Sequence, residues 1–99
     1  MLIAFALMAC AGPSAEGLDR ARVPEPLQGD YDVFAHRCSK CHTLARPLNS
    51  GITDDEFWAE YVARMRRMPG SAISADDSGR ILRFLHWYAA EERARKEPQ

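Results

Sequence analysis

Two cysteine thiols and an imidazole, in Cys38-Ser39-Lys40-Cys41-His42, form the most chemically loaded segment of this 99-residue chain. On one helical turn, two sulfurs three residues apart lie on the same side. Each can then add to a vinyl group on one edge of a porphyrin, giving two thioethers, the attachment pattern of a c-type haem. The residue after the second sulfur points at the iron, so His42 is the expected proximal ligand through one ring nitrogen. Its other nitrogen should donate to a backbone carbonyl that fixes the ring, and Pro47, five residues on, is the expected provider.

Two rival chemistries use the same atoms. A zinc site needs a fourth ligand at a recognisable spacing, and the remaining histidines, His36 and His86, offer none. A redox dithiol needs a strand-helix-strand setting, and no stretch shows the alternation of a half-buried strand. There is no Ser/His/Asp set and no Gly-rich phosphate loop, and the carboxylates sit where helices start, so nothing points to an enzyme. Thirteen basic against fourteen acidic residues give a net charge of −1, which supplies no field for a nucleic-acid partner.

Four segments must position these groups. Residues 1–10 are apolar and half the length of a membrane span, which takes about 20 residues. They suit an export signal. Leu7-Met8-Ala9-Cys10 resembles the lipobox of bacterial lipoproteins, which implies that Cys10 becomes the lipidated first residue; ordinary signal-peptidase cleavage near Ala9 or Ala11 is the alternative. Residues 11–29, rich in Pro and Gly, read as a flexible tether. Residues 30–93 hold the periodic, helix-forming sequence, and 94–99 read as a frayed tail.

Three helices are expected within the folded part. The first runs from Tyr31 to Lys40 with Asp30 as its cap. The second runs from Asp54 to Arg67, opened by a capping box in Thr53-Asp54-Asp55-Glu56 and closed by Pro69-Gly70. Its apolar stripe is Phe57, Trp58, Tyr61, Val62, Met65 and Met68. The third follows Ser74, carries Ile81, Leu82, Phe84, Leu85 and Tyr88 on one side, and frays beyond Glu91. Such an all-α unit of about 65 residues has little core of its own, so a large apolar prosthetic group should fill its middle.

With the motif, the helices and the export segment in view, the chain resembles the small monohaem class I c-type cytochromes of bacteria. Phe34, four residues before the first haem cysteine, lies where that family packs an aromatic on the last helix, and Phe84-Leu85 resembles the partner motif. The family's Gly at that helix crossing is replaced by Asp30, with Gly29 one position early. The resemblance implies a cytochrome c fold around one covalent haem c, with a methionine on the far side of the iron. Met68-Pro69-Gly70 looks like the family's Met-Pro loop, whereas Val62-Ala63-Arg64-Met65 followed by Pro-Gly and Ile-Ser resembles a branch in which the helical Met is the ligand, so Met65 and Met68 both stay open. The other would pack beside the ring. Trp58, Trp87, Tyr61 and Tyr88 are expected in the haem pocket and helix contacts.

The implied function is one-electron transfer in the periplasm, at a membrane if Cys10 is lipidated. Arg37, Lys40 and Arg46 near the motif, with Arg64, Arg66 and Arg67 near the distal loop, would favour an acidic, membrane-bound redox partner. If neither methionine coordinates, an open sixth site would suit gas sensing or peroxidase-like chemistry. A haem subunit of a larger redox complex is the third reading.

Overall fold

The computed structural model describes residues 17–40 and 42–96, and its architecture is all-helical. A short 3-10 helix, Arg20–Arg22, is followed by α1 (Glu25–Cys38), α2 (Ala45–Leu48), α3 (Asp55–Arg67) and α4 (Ala75–Lys96). Helix α4 is the spine, packing against both α1 and α3. None of the described helices is long and apolar enough to cross a membrane.

Helix α1 begins six residues before the expected start. Pro24 is extended and Pro26 sits in the first turn, where the missing N–H would have had no partner. A pair of prolines that reads as a helix breaker is here a helix start. Asp30 is therefore not a cap but a buried mid-helix residue. It accepts from Arg80 Nε at 3.1 Å and from Arg83 Nε and Nη2 at 3.0 Å, bridging α1 to α4. Arg83 holds the Asp30 carboxyl below the ordinary carboxylate range, with Arg80 adding to the effect against the cost of burial. Gly29 leaves room for this bridge, since a Cβ there would lie 2.8 Å from Arg80 Nη2.

The crossing continues in aromatic side chains. Phe34 and Phe84, both fully buried, have ring centroids 4.8 Å apart, and Tyr31 meets Phe84 edge-on at 5.0 Å. The pair singled out in the sequence is thus in contact. Ile81, Leu85, Tyr88 and Ala89 of α4 and Trp58 and Val62 of α3 complete the core.

Residues 17–29 are not a tether. Leu18 and Val23 belong to the core, and the Tyr31 hydroxyl both accepts from Leu18 N at 2.8 Å and donates to Leu18 O at 2.9 Å. Arg20 forms a two-pronged ion pair with Asp32, both contacts at 2.9 Å. The segment lacks periodicity because it is held by side-chain hydrogen bonds rather than by an apolar stripe. The other end also extends further than expected. Helix α4 continues through Lys96, whose ammonium reaches Gly51 O at 2.8 Å, and Arg93, Arg95 and Lys96 complement the dipole in its last turn.

The caps differ in detail from the sequence reading. Asp54, not Thr53, caps α3 by accepting from Glu56 N at 3.0 Å. At the start of α4, Ser74 Oγ accepts from Asp77 N at 3.0 Å while Asp77 Oδ2 accepts from Ser74 N at 3.2 Å, a reciprocal capping box.

Candidate functional site

Helix α1 ends at Cys38, which is buried with its side chain among Arg37, His42, Met65, Ser71 and Ile73 around a small apolar cleft. Cys41 and Cys10 lie outside the described residues. Two residues beyond Cys41's neighbour, the chain turns back through Leu44 into α2, and the buried Leu44, Pro47 and Leu48 anchor the loop that carries His42. The Tyr88 hydroxyl donates to Leu48 O at 2.6 Å and ties this loop to α4.

His42 is half-buried and its two nitrogens have different partners. Nδ1 lies 3.1 Å from Thr43 O, and Nε2 lies 3.1 Å from the Tyr61 hydroxyl. A carbonyl can only accept, so Nδ1 carries the hydrogen and Nε2 presents its lone pair, accepting from Tyr61. That is the tautomer a metal-binding imidazole needs, with the backbone fixing the ring from behind. The fixing carbonyl is that of Thr43 rather than Pro47, because Pro47 O is taken by Ser50 Oγ at 2.8 Å. The backbone of the adjacent residue is simply closer.

Nε2 is aimed at α3, and so the positions of the two methionines can be compared. Met65 stands one turn after Tyr61 on α3, is half-buried, and lines the cleft together with Cys38 and His42. Met68 is 47% exposed, caps the end of the helix and does not line that cleft. The i, i+4 spacing of Tyr61 and Met65 puts both on the His42 side of the helix, whereas Met68 falls after the helical geometry has ended. A thiol, an imidazole and a thioether thus line one small apolar cleft.

A second cleft opens beside the first, walled by Ile52, Phe57, Trp58, Tyr61 and Pro47. Phe57 is 37% exposed, and the Trp58 ring is buried with its N–H donated to Ile52 O at 3.2 Å. The Trp58 indole hydrogen is therefore used within the protein. Trp87, by contrast, stands away from these clefts on α4, against Phe84 and Tyr88.

The expected ring of cations is only partly available. Arg37 is paired with Asp77 at 3.1 Å, and Arg66 Nε donates to Ile73 O at 3.3 Å. Arg64 sits 5.6 Å above the Tyr61 ring, while Lys40, Arg46 and Arg67 are exposed. His36 and His86 are exposed. Among the described residues, no three His, Cys, Asp or Glu side chains gather into a metal-binding group.

Sequence reasoning missed Tyr61 as the partner of His42, and Ser71 and Ile73 as cleft residues. Tyr61 could have been found from its place four residues before Met65 on the same stripe, but Ser71 and Ile73 belong to an irregular loop without a periodic signal. Compared with family models, curated proteins and solved structures, the chain gives no match.

Proposed function

We propose that this protein is a one-electron carrier outside the cytoplasm, in which Cys38 and Cys41 would hold one covalent haem c, His42 and Met65 would bind its iron, and Cys10 would carry a lipid anchor. The observation that carries the reading is the placement of His42, which lines one cleft with Cys38 and Met65 and has Nδ1 set against Thr43 O and Nε2 turned to the Tyr61 hydroxyl on α3. Bound there, haem supplies a ferric/ferrous couple. The chain's own residues decide how it is used. Cys38 holds one ring edge at the end of α1, and Thr43 O fixes the orientation of the His42 ring. Met65 would contribute a thioether, a weak donor that favours a reduced metal and would raise its potential relative to a second imidazole. Buried Ile73, which lines the cleft with Cys38, His42 and Met65, would help keep water from the group, acting in the same direction.

The test is spectroscopic. Protein matured in a periplasm competent for haem attachment should be coloured and should keep its pigment in acidic organic solvent. Met65→Leu should abolish the sulfur-to-iron absorption band and Met68→Leu should leave it. Colourless protein, or pigment released by acid, would refute the covalent haem. Rapid carbon monoxide binding by the unsubstituted reduced protein at neutral pH would move the reading to an open sixth site.

A further inference from the structure

The stretch expected to serve as a long tether is largely clamped to the domain, and this changes what an anchor at Cys10 can do. Leu18 is held at both its N–H and its carbonyl by Tyr31, Val23 is buried, and Arg20 grips Asp32. Gly17 lies against the Tyr31 hydroxyl and Leu44, with a φ of +110° that favours glycine. Only eight peptide units separate Cys10 from Leu18. Fully extended they span at most about 26–29 Å, whereas the full stretch to Gly29 would have reached more than twice as far. An anchored domain of this kind is both leashed close and leashed by one side.

The side in question has a definite chemistry. Where the chain enters at Leu18, a cleft of about 280 Å³ opens between the N-terminal segment and α4, lined by Leu18, Arg22, Trp87, Tyr88, Glu91 and Arg95. Arg95 also pairs with Glu92. A half-buried indole beside two guanidinium groups suits the level of lipid headgroups, where an amphipathic ring and cations that bind phosphate both find partners. Glu91 is the opposing charge within the cleft. The cations expected to meet a redox partner, Arg64, Arg66 and Arg67, are carried instead by α3 and are not among the cleft's residues.

We infer that, with Cys10 anchored, the face formed by Leu18, Arg22, Trp87 and Arg95 rests on an anionic bilayer surface. This rests on the lipoprotein reading of Cys10. The short leash holds the domain near the bilayer, and the arginines and indole beside its point of entry select the face. The bilayer thereby becomes a docking surface that orients the domain for any membrane-bound redox partner, and the α3 arginines stay in solvent.

Arginine modification by phenylglyoxal, followed residue by residue with mass spectrometry, tests this. The full chain is matured with its lipid and placed in vesicles of phosphatidylcholine and phosphatidylglycerol, with a Cys10→Ser chain in solution as the reference. Arg22 and Arg95 should react about fivefold more slowly when anchored, the factor that about 1 kcal/mol of surface attraction per arginine implies. Arg64 and Arg67 should be unchanged. A twenty-residue Gly/Ser insert after Gly12 adds a coil spanning about 25 Å and should restore the solution rates. Equal protection of the α3 arginines, no protection at all, or protection that survives the insert would overturn the inference. Absence of lipid on Cys10 would refute the anchor alone. In that event the haem-loaded chain, whose thioethers leave Cys10 as its single thiol, is coupled to a maleimide-headed lipid, and the same rates judge the face.

Discussion

Replacing Asp30 with Asn probes the one buried charge at the helix crossing. The carboxylate is 5% exposed and accepts three guanidinium hydrogen bonds at 3.0–3.1 Å, while its partners Arg80 and Arg83 are 38% and 63% exposed. Asn keeps the shape, loses the charge, and turns an amide N–H₂ toward a donor, so at least one of the three bonds becomes a donor-donor contact. Breaking a fully buried pair costs about 3–5 kcal/mol and an exposed pair about 0.2–1 kcal/mol. With one partner buried and two half in water, about 2 kcal/mol is expected, a fall in Tm of about 8–16 °C for a domain this size. Acid should erase the difference. Because Arg83 and Arg80 lower the Asp30 pKa in the folded protein, the unfolded chain takes up protons first as the pH falls. The bridge's contribution is thus fully present above the ordinary carboxylate value of about 3.9 and disappears as the pH drops through the lower folded value. Urea titrations of both proteins at neutral pH and at about pH 2 measure it. A neutral-pH difference below about 0.5 kcal/mol, the range of ordinary surface substitutions, or one undiminished in acid, would refute the role of the bridge.

Phe34→Ala should cost about 3–5 kcal/mol in urea unfolding, since the fully buried ring leaves a cavity against Phe84 and Tyr31; a loss below about 1 kcal/mol would place the helix contact elsewhere. Alkaline pH should unfold the protein through its buried phenols. Burial raises the pKa of Tyr31 and of Tyr88, so stability should hold up to the ordinary tyrosine value of about 10 and decline as the pH rises through the higher folded values. In Tyr88→Phe that decline should be shallower, from a lower start because Leu48 O loses its donor, and an unchanged slope would assign the alkaline loss to other groups.

What was legible in the sequence follows from how each element is held. Helices α3 and α4 carry acidic first turns, basic last turns and an apolar stripe, and their limits fall within a residue or two of expectation except where α4 runs on to Lys96. The start of α1 was misread because Pro24 and Pro26 carry opposite meanings in a helix interior and in its first turn. Helix α2 is four residues long and was not foreseen, because Ala45-Arg46-Pro47-Leu48 is too short to show any period. Leu18 and Val23 look like linker residues because their partners, Tyr31 and α4, are distant in sequence. At the candidate site, the thiols and imidazole were readable from spacing, and Met65 and Met68 were not separable, since both continue the same stripe. The end of α3 separates them, because a residue at the C-cap no longer projects on the helical face.

One line of sequence reasoning loses its force. A folded part of about 65 residues seemed too small to hold together without a bulky group at its centre. Among the described residues, however, Leu18, Val23, Leu44 and Leu48 enlarge the core beyond the three expected helices. Phe34, Trp58, Ile81, Phe84 and Leu85 are buried by protein alone. Core size is therefore no evidence for a prosthetic group. The haem reading stands on narrower and stronger ground, the chemistry of three side chains. A half-buried imidazole could equally have carried its hydrogen on Nε2, and Met65 could have faced solvent as Met68 does. Thr43 O favours the other tautomer, and Nε2 is turned to Tyr61 on the helix that also presents Met65 to the cleft.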